Sequence, residues 1–174
     1  MGSPPDEIAL LDRAADGDAR AFAALVARHR DRMWAVCVRI TGHRHDAEDA
    51  LQDALVAAWR ALPTFRAEAK FSTWVHRIAA NAALKVVARR REVPVEEVLD
   101  APIDDVGFDT AIVDQDAIGR ALAMLPPDFR AALVLREYAD LSYAEIAEAQ
   151  GIGVQTVKSR LNRARRAMHA LLTA

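Results

Sequence analysis

The segment that most constrains this chain is LSYAEIAEAQGIGVQTVKSRLNRARRAM, residues 141–168. Ser142 followed three residues later by Glu145 is a capping box, in which each side chain satisfies a backbone N–H at the other position. A helix should begin there and turn Ile146 and Ala147 inward. Gly151 ends it, and a longer helix starts near Val154. In that helix Val154, Val157, Leu161, Ala164, Met168 and Leu171 recur at spacings of three and four and form a stripe for burial. Gln155, Ser159, Asn162, Arg163 and Arg166 point the other way, with Lys158 and Arg160 on the flanks. A short helix, a glycine turn and a longer basic helix are the parts of a helix-turn-helix. The outward face carries amide, hydroxyl and guanidinium groups and no acid, the groups that hydrogen-bond base edges and neutralise phosphates. An ordinary amphipathic helix with a basic surface would need three features to coincide by accident.

The rest of the chain reads helical as well. Ala, Leu and Arg dominate, and no strand-like alternation persists. A short helix is expected near 6–15, a single long one from Asp18 to about Ile40, and a third from about Asp46 to Ala61, ended by Pro63. A loop over 63–71 leads to a helix of about 72–90 with Ser72 as its N-cap. Residues 92–112 contain Pro94, Pro102, Gly107 and clustered acids. They read as an irregular linker, with an acidic helix packed on one domain as the alternative. Helices of about 113–124 and 127–138 then precede the helix-turn-helix. The expected fold is all-α: a helical domain over 1–91, an acidic flexible linker over 92–112 and a helix-turn-helix domain over 113–174. A chain of 174 residues accommodates two such domains. The single cysteine, Cys37, excludes an internal disulfide framework. No charge-free apolar run reaches the roughly 20 residues of a membrane span, and no signal peptide is visible, so a soluble, cytoplasmic protein is expected.

The net charge of −2 hides three blocks. Residues 66–91 carry seven cations against Glu68 alone, residues 92–118 carry nine acids and no cation, and residues 151–174 carry five cations and no acid. Two basic blocks around an acidic one suggest two anion-binding surfaces, with the acidic strip competing with DNA for them. In FRAEAKFSTWVHRIAANAALKVVARRR, Phe65, Phe71 and Trp74 interleave with Arg66, Lys70 and Arg77, and Asn81 and Lys85 follow. Rings beside cations suit single-stranded nucleic acid, because bases stack on rings while cations follow the backbone. Trp74, Val75 and Ile78 also have helical spacing, so some of these side chains must be core.

In DAEDALQDALVAAWRAL, Asp46, Glu48, Asp49, Gln52 and Asp53 precede an apolar half, with no cation further along that helix before Arg60. Such acids either stabilise the helix start or engage a protein partner. His43 and His45 sit beside these acids, but a solvated helix start explains them better than a metal site does. No phosphate loop, zinc-protease motif or nucleophile elbow is present, so neither a cofactor nor a catalytic residue nor a metal is expected.

Three stretches together resemble the bacterial extracytoplasmic-function (ECF) sigma factors, RNA polymerase specificity subunits of the sigma-70 superfamily. They are DAEDALQDALVAAWRALPTF, KFSTWVHRIAANAALKVVARRR and LPPDFRAALVLREYADLSYAEIAEAQGIGVQTVKSRLNRARRAM. Gly153 departs from the pattern and blurs only the start of the recognition helix. The resemblance implies a non-catalytic subunit. Asp46, Glu48, Asp49, Gln52 and Asp53 would dock the clamp helices of the polymerase's largest subunit, and the C-terminal domain its flap region. Phe65 and Asn81 would capture a flipped base of the −10 element, while Arg66, Lys70, Phe71, Trp74, Arg77 and Lys85 would support melting or hold the strand. Lys158, Ser159, Asn162 and Arg163, with Gln155 and Thr156, would read duplex DNA at −35, and Arg160 and Arg166 would contact phosphates. The linker would follow the RNA exit path. A role in stress-responsive transcription and an anti-sigma factor as a further partner are also implied. The alternatives are a DNA-binding regulator that works without polymerase and a basic helical interaction module.

Overall fold

The computed structural model of the chain describes residues 5–66, 70–92 and 112–173. Among these residues every regular element is helical. The first group comprises α1 (Pro5–Ala15), α2 (Ala19–Ala27), α3 (Arg30–Thr41), α4 (Arg44–Ala61), a 3-10 turn (Leu62–Thr64) and α5 (Phe71–Glu92). The second comprises α6 (Ile112–Met124), α7 (Pro127–Glu137), α8 (Tyr143–Gln150) and α9 (Val154–Thr173). Residues 93–111, which make up nearly all of the expected acidic linker, lie outside the described residues, as do residues 67–69 of the expected loop.

Local chemistry sets most of the boundaries. The Asp18 carboxylate accepts from the N–H groups of Arg20 (2.9 Å) and Ala21 (3.1 Å), capping α2. Gly42, at φ 75°, ends α3 in the left-handed region that glycine enters without strain. Ser142 and Glu145 form the full capping box, and Gly151 at φ 63° closes α8. Two expectations are corrected. The long helix over 18–40 is two helices, broken at Arg28 and His29, where no glycine or proline stands. Tertiary packing makes the break: His29 carries its ring to within 5.4 Å of Phe71 and 5.8 Å of His76, centroid to centroid. Ser72 is not the N-cap of α5, because the helix begins one residue earlier, at Phe71.

The packing of α4 on α5 organises the first group. The buried residues of α4 are Ala47, Ala50, Leu51, Ala54 and Ala58, and those of α5 include Ala79, Ala80, Ala82 and Ala83. Small side chains let the two helices lie close, and α3 covers them both. Arg90 near the end of α5 donates to Asp46 near the start of α4 at 2.8 Å, so the pair is antiparallel. Apolar packing is continuous into the second group, where Ala131, Ala132, Val134 and Leu135 of α7, Ile146 of α8 and Leu161 of α9 are buried. The two groups are in contact, α3 and α5 meeting α7 and α8.

His76 is only 3% exposed. Burial, with Arg32 and His29 nearby, pushes its pKa from 6.5 down to about 4. Burial also lowers the pKa of His29, against the opposing pull of Glu7, 3.7 Å away. An unfolded chain takes up these protons near 6.5 and the folded chain does not, so stability is full above that pH and falls as the pH drops toward about 4. Thermal melts should therefore show a lower Tm at about pH 5 than at about pH 7. His76→Gln should reduce that difference; an unchanged pH dependence would contradict it.

Candidate nucleic-acid interface

In the second group the helix-turn-helix fixes α9 by its apolar stripe. Val157, Leu161 and Ala164 are buried, with Met168 and Leu171 packed on the same core. Gln155, Thr156, Lys158, Ser159, Asn162, Arg163 and Arg166 are all exposed. Lys158, Arg163 and Arg166 make no ion pair with a described residue. This face presents donors of several shapes on one straight helix, the form that fits a major groove.

Arg160 differs from its neighbours. Its guanidinium donates to the Gln150 side-chain oxygen at 3.1 Å and lies 3.5 Å from the Asp128 carboxylate, tying α9 to α8 and α7. Arg165, which helical spacing did not single out, donates to Glu137 at 2.8 Å. Hydrogen bonds to Glu137 and Tyr143 raise its pKa. Arg165 also lines a shallow concavity with Tyr143, Lys158, Leu161, Asn162 and Arg166. Two of the basic residues of α9 thus anchor the helix, and the others face outward.

In the first group an aromatic cluster stands at the start of α5. The Phe65 ring lies 5.0 Å from Trp74 and 6.0 Å from Phe71, and Phe71 lies 5.6 Å from Trp74, centroid to centroid. Phe71 is 0% exposed and belongs to the core, so an incoming base cannot reach it. Phe65 and Trp74 are half-buried at the rim, where one side of a ring can still be approached. Arg66 and Lys70 are exposed beside them. Trp74, Arg77, Asn81 and Lys85 follow at spacings of three and four and form one stripe along α5. Asn81 is half-buried, with its Oδ1 atom enclosed and without a hydrogen-bond partner. A buried amide oxygen lacking a partner is costly. Arg77 is not open: it donates to Glu148 of α8 at 3.0 Å.

A separate face belongs to α4. Asp49, Gln52, Asp53 and Val56 are exposed at spacings of three and four, Val56 being 44% exposed. The other acids have partners that the sequence reading did not foresee. Arg90 reaches Asp46 at 2.8 Å, Arg89 lies 3.8 Å from Asp53, and Arg44 pairs with Glu48 at 3.2 Å. Asp49 pairs with no described residue. Among the described residues no group of His, Cys, Asp and Glu is arranged to hold a metal ion, and no helix is long and apolar enough to cross a membrane.

Two family models match the chain: sigma-70 region 2 over residues 25–93 and sigma-70 region 4 over residues 115–168. The RNA polymerase sigma-H factor of Pseudomonas aeruginosa is 36% identical, with 94% of this chain and 92% of that protein aligned. The ECF RNA polymerase sigma-E factor of Haemophilus influenzae is also 36% identical, over 90% of each. The chain belongs to the ECF sigma factors. Two solved structures share the fold of this sigma factor. CnrH in complex with the cytosolic domain of CnrY matches with a TM-score of 0.65 and 30% identity over 97% of both chains. RpoE of Bartonella quintana in complex with the anti-sigma factor NepR matches with 0.68 and 26% over 90% of this chain and 99% of that one.

The division among the arginines of α9 has a direct test. Arg160→Ala should lower the Tm by about 2–4 °C, the shift that roughly 1 kcal/mol produces in a protein of this size. Arg163→Ala, on the outward face, should leave the Tm within about 1 °C of the parent. Equal losses from both would contradict the division.

Proposed function

We propose that this ECF sigma factor binds core RNA polymerase, directs it to specific promoters and helps melt the −10 region to start transcription. One observation carries the reading: a single chain holds two nucleic-acid faces of different kinds. The acid-free face of α9 suits a duplex, and the ring-and-cation stripe of α5 suits a single strand. Gln155, Thr156, Lys158, Ser159, Asn162 and Arg163 read the −35 element, and Arg166 contacts phosphate. Arg160 positions α9 and touches phosphate only at its edge. On α5, Phe65 and Trp74 stack a displaced base, and the Asn81 amide meets its hydrogen-bonding edge. Arg66, Lys70, Arg77 and Lys85 follow the strand backbone, and Phe71 supports the rings from beneath.

The exposed stripe of Asp49, Gln52, Asp53 and Val56 docks core polymerase at the clamp helices of its largest subunit. An apolar side chain amid acids suits a basic helical surface. The C-terminal group engages the flap region. An anti-sigma factor is a further partner, as the complex of the Bartonella RpoE with NepR supports. The molecule contributes recognition and strand capture, while bond-making stays with the polymerase.

Run-off transcription with purified core polymerase tests the reading. Transcripts should start at defined promoters only when this protein is present; their absence would return the chain to the class of polymerase-independent regulators. Asp49→Arg with Asp53→Arg should weaken association with core polymerase in a low-salt titration while leaving the thermal melt unchanged.

Phe65→Ala and Asn81→Ala should each leave the closed complex nearly intact and slow strand opening, since neither contact forms before a base leaves the stack. A stacked base contributes roughly 1–3 kcal/mol, so opening should slow by about tenfold. A pre-melted bubble should restore most of the rate, as followed by permanganate reactivity of promoter thymines. No rescue, with a lowered Tm, would assign Phe65 to the core alone.

A further inference from the structure

The acidic first turn of α1 is fastened to the break between α2 and α3. The Asp6 carboxylate lies 2.6 Å from the Arg28 guanidinium, and the Glu7 carboxylate lies 3.7 Å from Nε2 of His29. The two contacts differ in kind. The Asp6 pair stands in solvent, whereas Glu7 is only 8% exposed and His29 Nε2 is enclosed without a hydrogen-bond partner. A carboxylate is seldom enclosed in this way unless it faces a specific partner.

Two routes run from α1 to Phe65. The first passes through rings. His29 lies 5.4 Å from Phe71, and Phe71 lies 6.0 Å from Phe65 and 5.6 Å from Trp74, centroid to centroid. Phe71 is fully enclosed, so its ring moves only if its neighbours do. The second route passes through the backbone. α1 packs on the 3-10 turn Leu62–Thr64, and the Phe65 N–H donates to the Leu62 carbonyl oxygen at 3.0 Å. The Thr64 hydroxyl donates back to the Ala61 carbonyl oxygen at 2.8 Å, tying the turn to the end of α4. Both routes end on the ring that stands half-open at the rim.

We propose that Glu7 is a positioning residue for strand capture: acting through His29 and Phe71, with α1 seated on the turn before Phe65, it sets the tilt of the Phe65 and Trp74 rings. The inference rests on the reading of Phe65 as a ring that stacks a displaced base. Glu7 itself touches no DNA. Its carboxylate faces Nε2, favours the imidazole tautomer that carries the proton there, and so fixes how the His29 ring stands against Phe71. A ring already held at its working tilt gives its full contact to an incoming base, whereas a ring that must first be ordered gives part of it back. Without the carboxylate, the enclosed imidazole faces nothing polar and the row of rings relaxes.

A double-mutant cycle on strand opening tests this. Core polymerase carrying the full chain is mixed with a promoter defined by run-off transcription, and opening is followed by permanganate reactivity of its thymines. Glu7→Ala should slow opening about three- to fivefold, the scale of coupling between residues in contact, and leave closed-complex affinity unchanged. Glu7→Gln, which keeps an acceptor facing His29, should open at nearly the parent rate. In a Phe65→Ala background Glu7→Ala should slow opening no further, because the ring it positions is gone. A loss of stability alone would act equally in both backgrounds. Equal slowing in the two backgrounds, equal slowing by Glu7→Gln and Glu7→Ala, or no slowing by Glu7→Ala in the parent would overturn the proposal. Phe65→Ala alone separates the two claims. If it slows opening while Glu7→Ala does not, only the positioning role falls. If it leaves opening at the parent rate, the strand reading of Phe65 falls and the positioning role falls with it.

Discussion

The close packing of α4 against α5 is the contact on which the other surfaces depend. Most of its buried residues are alanine, so the two helices approach over several turns with little side-chain bulk between them. Alanine also favours the helix and gives up no rotamer freedom on burial, so the antiparallel pair forms a stiff plate. One side of the plate carries the acidic stripe of α4, and the aromatic end of α5 carries the strand face. A bulky residue at Ala50, Ala54 or Ala80 would force the helices apart and move both surfaces at once. Phe71, fully enclosed at the head of α5, fixes the half-buried rings of Phe65 and Trp74 above it.

Charge is then divided between holding the molecule together and leaving groups open for a partner. On α9, Arg160 and Arg165 are taken up by Asp128, Gln150 and Glu137, while Lys158, Arg163 and Arg166 point outward. On α4, Asp46, Glu48 and Asp53 have arginine partners, and Asp49 has none among the described residues. Exposed pairs of this kind contribute little stability individually. They matter more for which charges remain available to DNA or polymerase. Arg77 on α5 is taken up in the same way, by Glu148 of α8.

Where the determinants are local, the fold was legible in the sequence. The Ser142–Glu145 box, the turn at Gly151 and the apolar stripe of α9 each depend on residues within a few positions. The box and the turn stand as read, and the stripe holds from Val157 to Leu171 but not at Val154, which is 39% exposed in the first turn. The acid-free outward face of α9 was legible for the same reason. Tertiary effects were not. The break at His29 arises from ring packing against Phe71 and His76, which lie 42 and 47 positions away along the chain. Helical spacing alone could not tell the enclosed Phe71 from the half-open Trp74. The pairs Arg32–Asp140 and Arg77–Glu148 join residues 108 and 71 positions apart, beyond any periodic signal.

Under the proposed role, one chain uses two faces that pack together in this structure and would stand apart on a promoter. A pair of spin labels at Ala24→Cys on α2 and Ala170→Cys on α9, both exposed, reports this separation directly. The native Cys37 is buried, with its pKa pushed up to about 12, so its thiol stays unlabelled. The free protein should give one distance distribution. Core polymerase with a promoter should replace it by one longer by on the order of tens of ångström, the scale of the −10 to −35 span. The same distance persisting in an open complex that makes transcript would contradict the account.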